Sequence, residues 1–235
     1  MIAVAAAGSL SATFFDVKTG KLLSKYFGES SKMISALYVS ARNHAPSIIF
    51  IDEFDALGAS RSDTMSEATR KVLSSLLIEL DGLQGKKDDR LLLTMAATNA
   101  PWDLDPAVLS RFPRRVYVPL PDADACKAII EIHTKGLDVS GIDLYELGRQ
   151  CVDHLYSGRD VQGVCQQAIW TMINDVNLEM HRLADLPFDE INRRALKIRP
   201  LDEGDFAVAF GKIRSPLTVE ELERYTEWDV KHGEG

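Results

Sequence analysis

A run of large apolar residues at 48–51 leads directly into three acidic residues, Asp52, Glu53 and Asp55. A short run that is apolar on both faces is typical of a central strand in a parallel sheet, because helices cover both sides of such a sheet. Ligands of open parallel sheets bind just beyond the carboxyl ends of the strands. The run therefore predicts an α/β fold with carboxylates at the edge of the sheet where a ligand would bind.

Strand and helix patterns alternate through residues 1–121, which indicates a parallel sheet wrapped by helices. Gly82 supplies a predicted stop for the second of two long helices. The predicted strands cover residues 12–17, 47–52, 90–99 and 114–121, and the long helices cover 30–44 and 66–83. This part of the chain is therefore predicted to be an α/β domain.

The sequence pattern changes after residue 121, because helical periodicity continues there and strand patterns stop. Thr218 and Glu221 form a predicted capping box at the start of the last helix. The predicted helices cover 122–136, 143–152, 158 to about 182, 202–213 and 218–232. We therefore predict two domains, an α/β domain over 1–121 and a small helical domain over 122–235.

Composition argues against several classes of function. A net charge of -8 and a pI near 5.2 do not favour the basic surface that nucleic-acid binding needs. The apolar runs of the sequence are far shorter than the roughly 20 residues of a membrane-spanning helix, and the first Lys, Lys18, comes too late for a secretion signal. Cys126, Cys151 and Cys165 have neither zinc-ligand nor disulfide-framework spacing, so we interpret them as core thiols of a cytoplasmic protein.

Two neighbouring strand ends predict a site for phosphate chemistry. At the edge of the sheet, Asp52 can hold Mg²⁺ and Glu53 can orient a water molecule. Asn99 ends the next predicted strand, so it is expected beside Glu53, where it could bind the attacking water or a γ-phosphate. Each residue alone could belong to a solvated turn. The pairing of the two strand ends favours the functional interpretation.

Two other segments carry candidate contact residues. Arg111 and Arg114 precede the last predicted strand, and the planar guanidinium group suits the charge of a transferring phosphoryl group, even from a neighbouring subunit. They could equally be solvated surface charges. Tyr26 and Phe27 adjoin Gly28 in a polar loop. Such aromatic residues are usually buried, but exposed ones would form a contact surface for a substrate chain.

Together these segments resemble the AAA ATPases over essentially the whole chain. "IIFIDEFDAL" resembles the Walker B strand of that family, "MAATN" its sensor-1 strand, "RFPR" its arginine-finger element and "SKYFGES" its substrate-gripping pore loop. "EIHTKGL" and "YSGRDVQGVCQQA" resemble the nucleotide-facing segments of its helical lid. "NAPWDLDPAVLSRFPRRVYVPLPD" and "LTVEELERYTEW" most resemble the meiotic clade, which includes katanin, spastin, the ATPases that disassemble ESCRT-III and archaeal cell-division relatives.

The resemblance implies a P-loop NTPase core with a parallel sheet and an all-α lid. It also implies ATP and Mg²⁺ as cofactors, a homo-oligomer that is a hexameric ring, and protein substrates that are remodelled, disassembled or threaded in the cytoplasm. The roles that it implies are Asp52 as Mg²⁺ ligand, Glu53 as catalytic base, Asn99 as sensor 1, Arg111 and Arg114 as contacts to the neighbouring subunit, Tyr26 as pore aromatic supported by Lys25, Phe27 and Gly28, and His133 and Gly158 as contacts to adenosine.

Three departures from the family pattern qualify these expectations. Ser110 stands where clade members commonly carry the first of two adjacent arginines, and Arg159 replaces the usual alanine of the lid motif, where it could crowd the base or reach a phosphate. The family places its phosphate loop immediately before a helix like "MIAVAAAGSL", with which this chain begins. We therefore expect the first strand and phosphate loop to lie upstream of Met1, and the chain as written to bind ATP weakly.

Two alternatives stay open at this point. The first is a helicase, because residues 52–55 also fit a D-E-x-D motif, although a helicase needs a second RecA-like domain and a basic cleft. The second is an inactive AAA-like fragment or non-catalytic ring subunit. The sequence does not choose among filaments, tubulin tails and damaged proteins as substrates.

Overall fold

The structure is a computed structural model that describes residues 2–22, 30–58, 67–85, 91–177 and 196–233. The chain divides into two compact units. The first comprises Met1–Arg115 together with His232–Gly235, and the second comprises Val116–Lys231. Among the described residues, no helix combines the length and the apolar character needed to cross a membrane.

The described part of the first unit contains a parallel sheet of three strands in the order β1-β2-β3. The strands are β1 (Thr13–Lys18), β2 (Ser47–Asp52) and β3 (Leu92–Ala96). The register pairs Lys18 with Asp52, and Ile51 with Ala96. Because all three strands run in the same direction, their carboxyl ends lie along one edge of the sheet. The first three predicted strands are therefore confirmed.

Helices connect and cover these strands. The helices of this unit are α1 (Ile2–Ser9), α2 (Thr19–Leu22), α3 (Ser30–Asn43), α4 (Asp55–Gly58), α5 (Glu67–Gly85) and α6 (Pro106–Leu109), with a 3-10 turn at Pro101–Asp103. The long helices α3 and α5 confirm the predictions, but α5 runs through Gly82, so the predicted stop is wrong. A glycine inside a helix costs only about 1 kcal/mol relative to alanine, and the packing of α5 in the core outweighs that cost.

One face of the sheet packs against α3 and α5 and forms the main core of the first unit. Tyr38 of α3 is fully buried there, with its hydroxyl 3.1 Å from the Thr94 hydroxyl of β3. Burial raises the pKa of Tyr38 to about 12. An ion pair of 3.1 Å between Arg42 and Glu79 also joins the two helices. The other members of this core include Val17, Ile34, Ile49, Ile51, Val72, Leu76 and Leu80.

The strand predicted over residues 114–121 is wrong. These residues form neither strand nor helix, and the side chains of Val116 and Val118 are 83% and 61% exposed. A strand needs a neighbour whose backbone groups pair with its own, and none of the described strands pairs with this segment. The alternating valines give the local pattern of a strand without the partner that would make one.

The chain that follows residue 121 is helical wherever the structure describes regular elements, as predicted. Thr218 and Glu221 form the predicted capping box, with N–H to side-chain oxygen distances of 2.9 and 3.3 Å. The three cysteines are free and buried in the core of the second unit, and burial raises the pKa of Cys151 and Cys165 to about 12. The helices are α7 (Ala123–His133), α8 (Leu144–Asp153), α9 (Gly158–Val176), α10 (Glu203–Lys212) and α11 (Val219–His232).

Candidate functional site

The acidic turn at the end of β2 has an unusual backbone conformation. Asp52 is the last residue of the strand and is exposed, and its Oδ1 accepts a hydrogen bond of 2.9 Å from the Glu53 N–H. Glu53 is also exposed and has a φ of 51°. This left-handed region is uncommon for residues other than glycine, and such residues cluster at functional sites. The turn therefore presents the Glu53 carboxylate at the sheet edge at some cost in backbone energy.

The loop that follows β3 is bonded directly to this turn. The Phe54 N–H donates to the Ala97 carbonyl at 2.9 Å, and the Thr98 hydroxyl donates to Oδ1 of Asp55 at 2.8 Å. Asn99 follows Thr98 and is exposed. The structure thus brings the segment that carries Asn99 against the turn that carries Glu53. Sequence reasoning placed Asp55 in the acidic run without a separate role and gave no role to Thr98, although both lie within the segments that it singled out.

A cleft of about 430 Å³ adjoins the turn. On the face of the sheet that α1 covers, Phe14 and Phe50 stack with ring centroids 6.1 Å apart and form its apolar wall. Its polar wall comes from the carboxyl ends of β1 and β2. The lining residues are Ala3, Val4, Phe14, Asp16, Lys18, Thr19, Phe50, Asp52 and Glu53.

The carboxylate groups in this cleft suit Mg²⁺ better than they suit a metal ion that takes all of its ligands from the protein. Mg²⁺ prefers oxygen ligands and is usually bound by one or two carboxylates together with phosphate oxygens of the substrate. Asp52 supplies a carboxylate with one oxygen engaged by the Glu53 N–H. Among the described residues there is no group of three or more His, Cys, Asp or Glu side chains that could hold a metal ion. A site of this kind would depend on the nucleotide for its remaining ligands.

Arg111 lies after α6 and is held by its own chain. Its Nε donates to Oδ1 of Asp81 at 2.9 Å and its Nη2 to Oδ2 at 3.0 Å. Its Nη1 donates to the Ser110 hydroxyl at 2.9 Å and to the Ala107 carbonyl at 3.3 Å. The hydrogen bonds from Arg111 lower the pKa of Asp81 below its usual value. Ser110, which stands where the family commonly carries an arginine, thus contacts Arg111.

The two arginines that follow differ in their surroundings. Arg114 is exposed. Arg115 is half-buried and donates to the carbonyl groups of Leu109 at 2.8 Å, Phe112 at 3.2 Å and His232 at 2.9 Å. Three backbone acceptors indicate that Arg115 shapes the segment that carries the other arginines. Sequence reasoning missed this residue, because nothing in the local pattern distinguishes it from Arg114.

The candidate adenosine contacts lie in the second unit. His133 ends α7, and Gly158 begins α9 after the capping residue Ser157. A Cβ atom at Gly158 would lie 3.7 Å from Ile129, which is one helical turn before His133. Arg159 is exposed. The structure thus brings the start of α9 next to α7, near the turn that carries His133.

The predicted pore-loop residues, Lys25, Tyr26, Phe27 and Gly28, lie outside the described residues. Their role stays a prediction. The described chain ends at Leu22 of α2 on one side of this segment and resumes at Ser30 of α3 on the other.

Comparison with known proteins decides the family. The model of the ATPase family associated with various cellular activities (AAA) matches residues 1–120, which include both strand ends of the candidate site. The chain belongs to the AAA family. The predicted family and its α/β fold class are therefore confirmed.

The AAA relatives that match this chain include members of the meiotic clade. The katanin p60 ATPase-containing subunit A1 of Strongylocentrotus purpuratus is 34% identical over 241 residues, which cover 99% of this chain and 45% of the relative. Spastin of Anopheles gambiae is 36% identical over 230 residues, which cover 97% of this chain and 26% of the relative. The chain thus spans half the length or less of these curated relatives.

Solved AAA structures share the fold. The crystal structure of the FIGL-1 AAA domain has a TM-score of 0.80 and 32% identity, and the match covers 97% of this chain and 71% of that one. The same domain in complex with ADP has a TM-score of 0.79. A katanin structure described as the basis of its self-assembly has a TM-score of 0.75 and 34% identity, over 97% of this chain and 72% of that one.

Proposed function

We propose that this protein is an ATP-hydrolysing AAA subunit of a ring that remodels, disassembles or threads protein substrates. The observation that carries the proposal is the convergence of two strand ends. The turn with Asp52 and Glu53 is hydrogen-bonded to the segment with Asn99, and the turn borders a cleft. Acid, base and amide groups at one sheet edge suit the activation of water against a phosphate.

Each residue of the sheet edge has a distinct task in this proposal. Asp52 would hold Mg²⁺, which when bound neutralises charge on the phosphate oxygens. Glu53 would take a proton from the attacking water, or orient it, from the exposed position that its left-handed backbone provides. Asn99 would fix the water or the γ-phosphate by hydrogen bonding.

Arg111 and Arg114 would serve the ATP site of a neighbouring copy. The guanidinium plane matches the charge of the transferring phosphoryl group and can be supplied by another subunit. A katanin structure described in terms of self-assembly, which resembles this chain with a TM-score of 0.75, supports an assembly of copies. We propose a hexameric ring on the basis of the family resemblance.

The remaining roles rest on the family resemblance. His133, Gly158 and Arg159 would lie near the adenosine, and an ADP complex of a similar AAA domain supports nucleotide binding. Tyr26, supported by Lys25, Phe27 and Gly28, would grip an extended protein substrate. The three buried free thiols of the second unit suit a reducing compartment, and we propose the cytoplasm.

A second candidate is a AAA subunit that joins a ring without turning over ATP. The charge of the cleft favours it, because the lining includes Asp16, Asp52 and Glu53 but only one basic residue, Lys18, among the described residues. A triphosphate would meet three carboxylates and one ammonium group there. This candidate predicts assembly without phosphate release.

Phosphate release from ATP in the presence of Mg²⁺ tests the proposal. The wild-type protein should release phosphate, and Glu53→Gln should lower the rate by at least about 100-fold while ATP still binds. Glu131→Gln, which alters an exposed carboxylate of α7, should leave the rate unchanged. Absence of turnover in the wild type would favour the non-catalytic candidate, and equal rates in wild type and Glu53→Gln would exclude Glu53 as the base.

A further inference from the structure

The left-handed backbone at Glu53 requires support from neighbouring groups. A non-glycine residue with a φ of 51° persists only where the surrounding structure holds it. Behind Glu53, the side chain of Phe54 is buried against the edge of the Phe112 ring, with centroids 5.4 Å apart. A Cβ atom at Gly58 would come within 2.7 Å of the Phe54 ring, so this ring packs directly against the backbone of Gly58. The turn is thus anchored on the core side.

Two hydrogen bonds also join the turn to the segment after β3. One is the backbone bond from Phe54 to Ala97, and the other is the side-chain bond from Thr98 to Asp55. The two bonds cross a sequence separation of 43 residues, so local sequence does not dictate them. They tie the residues immediately after Glu53 to those immediately before Asn99.

The Thr98 hydroxyl has a second partner. It accepts a hydrogen bond of 3.0 Å from the Ala100 N–H while it donates to Asp55. Asn99 lies between Thr98 and Ala100 in the chain. One hydroxyl group therefore closes the backbone around Asn99 and at the same time anchors that backbone to the turn of Glu53.

We propose that Thr98 and Asp55 are positioning residues that fix the Glu53 carboxylate relative to the Asn99 amide. This inference rests on the proposed ATP hydrolysis, in which Glu53 and Asn99 act on the same water and phosphate. A displacement of about 1 Å between groups that must act together can cost about 100-fold in rate. Loss of the Thr98–Asp55 bond should therefore lower kcat, with little change in KM for ATP.

Thr98→Val, Thr98→Ser and Thr94→Val form a matched set of variants. Valine keeps the shape of threonine and removes both hydrogen bonds, whereas serine keeps the hydroxyl. Thr94 lies on β3 and its hydroxyl bonds to Tyr38 in the core, so Thr94→Val removes a hydroxyl from the strand without touching the turn. Asp55→Ala removes the acceptor and provides a second test if Thr98→Val does not fold.

The turnover rate and the rate of hydrogen–deuterium exchange test the positioning role. We expect Thr98→Val to lower kcat by about 10–100-fold, and Thr98→Ser and Thr94→Val to keep most of it. Hydrogen–deuterium exchange should be faster over residues 52–58 in Thr98→Val than in the two controls. An active wild type with an equally active Thr98→Val would overturn the positioning role and leave the proposed function intact. If the wild type has no turnover, the proposed function fails, and exchange over 52–58 that is equal in all variants would overturn the link itself.

Discussion

Arg111 and Asp81 of the same chain form a two-pronged ion pair that fixes both the position and the plane of the guanidinium group. Asp81 lies in α5, and Arg111 lies in the segment that would face a neighbouring subunit. Both side chains are partly exposed, so the pair contributes little to the stability of the fold. Its main consequence is that Arg111 is oriented before any partner binds.

Asp81→Asn should therefore lower activity more than stability. Asparagine keeps one acceptor oxygen but places an amide NH2 group opposite one of the two N–H donors of Arg111. We expect ATP turnover by the assembled protein to fall in Asp81→Asn, while the melting temperature changes little. We expect a similar fall in Arg111→Lys, which keeps the charge and loses the planar two-donor geometry. Glu67→Gln breaks another exposed ion pair of α5, to Lys71, and should affect neither quantity. Unchanged turnover in Asp81→Asn would contradict an orienting role.

Much of the fold could be predicted because it depends on local patterns. Helical periodicity placed α7, α8, α10 and α11 within a few residues of their observed bounds, and apolar runs placed β1, β2 and β3. The strand prediction over residues 114–121 failed because a strand forms only when a neighbouring strand pairs with it, and a local sequence pattern does not contain that information. The helix stop predicted at Gly82 failed because the free-energy cost of a glycine inside a helix is smaller than the stabilisation from packing α5 in the core.

The site divides in the same way. The rule that ligands bind at strand carboxyl ends is enough to place Asp52, Glu53 and Asn99 at one edge of the sheet from the order of residues alone. The left-handed backbone of Glu53 and the bond from Thr98 to Asp55 could not be predicted, because they depend on how two loops meet in space. The catalytic roles of these residues stay predictions.

Tyr38→Phe should remove an alkaline limit on stability. Burial raises the pKa of Tyr38 from 10.0 to about 12, so the folded chain holds the phenolic proton more tightly than the unfolded chain. This contribution is fully present below pH 10 and is lost as the pH rises through about 12. Relative to Tyr38→Phe, we expect the wild type to lose about 1 kcal/mol of unfolding free energy by about pH 11 and on the order of 2 kcal/mol by about pH 12.

Urea unfolding at pH 8, 10 and 11 measures this difference. At pH 8 the Tyr38→Phe variant should be less stable by about 1 kcal/mol, because the hydrogen bond to Thr94 is lost. Thr94→Val loses the same bond and keeps the phenol, so its stability should decline at alkaline pH as steeply as that of the wild type. Parallel declines in wild type and Tyr38→Phe would exclude Tyr38 as the source.

Arg199 supports a buried carboxylate in the second unit. It donates to both oxygens of Asp205, at 2.7 and 2.8 Å, and Asp205 is only 1% exposed. Arg199→Met should cost about 3 kcal/mol of unfolding free energy, because it leaves this carboxylate buried without its guanidinium partner. Asp175→Asn removes an exposed partner of Arg199 and should cost less than about 1 kcal/mol. Equal losses of unfolding free energy in Arg199→Met and Asp175→Asn, measured by urea unfolding, would contradict the importance of the burial of Asp205.

Gly148 marks the closest approach of two helices in the second unit. A Cβ atom there would collide with the Ala123 carbonyl oxygen and lie 3.3 Å from the Lys127 nitrogen. Because the obstructing atoms belong to the backbone of α7, α8 itself would have to shift. We expect Gly148→Ala to cost about 1–3 kcal/mol. At Gly211 in α10, nothing lies within 4 Å of an added Cβ atom. Gly211→Ala should therefore raise the unfolding free energy by about 0.4–1 kcal/mol. Urea unfolding of the two variants measures both changes, and stabilisation in both would show that helical propensity alone governs these positions.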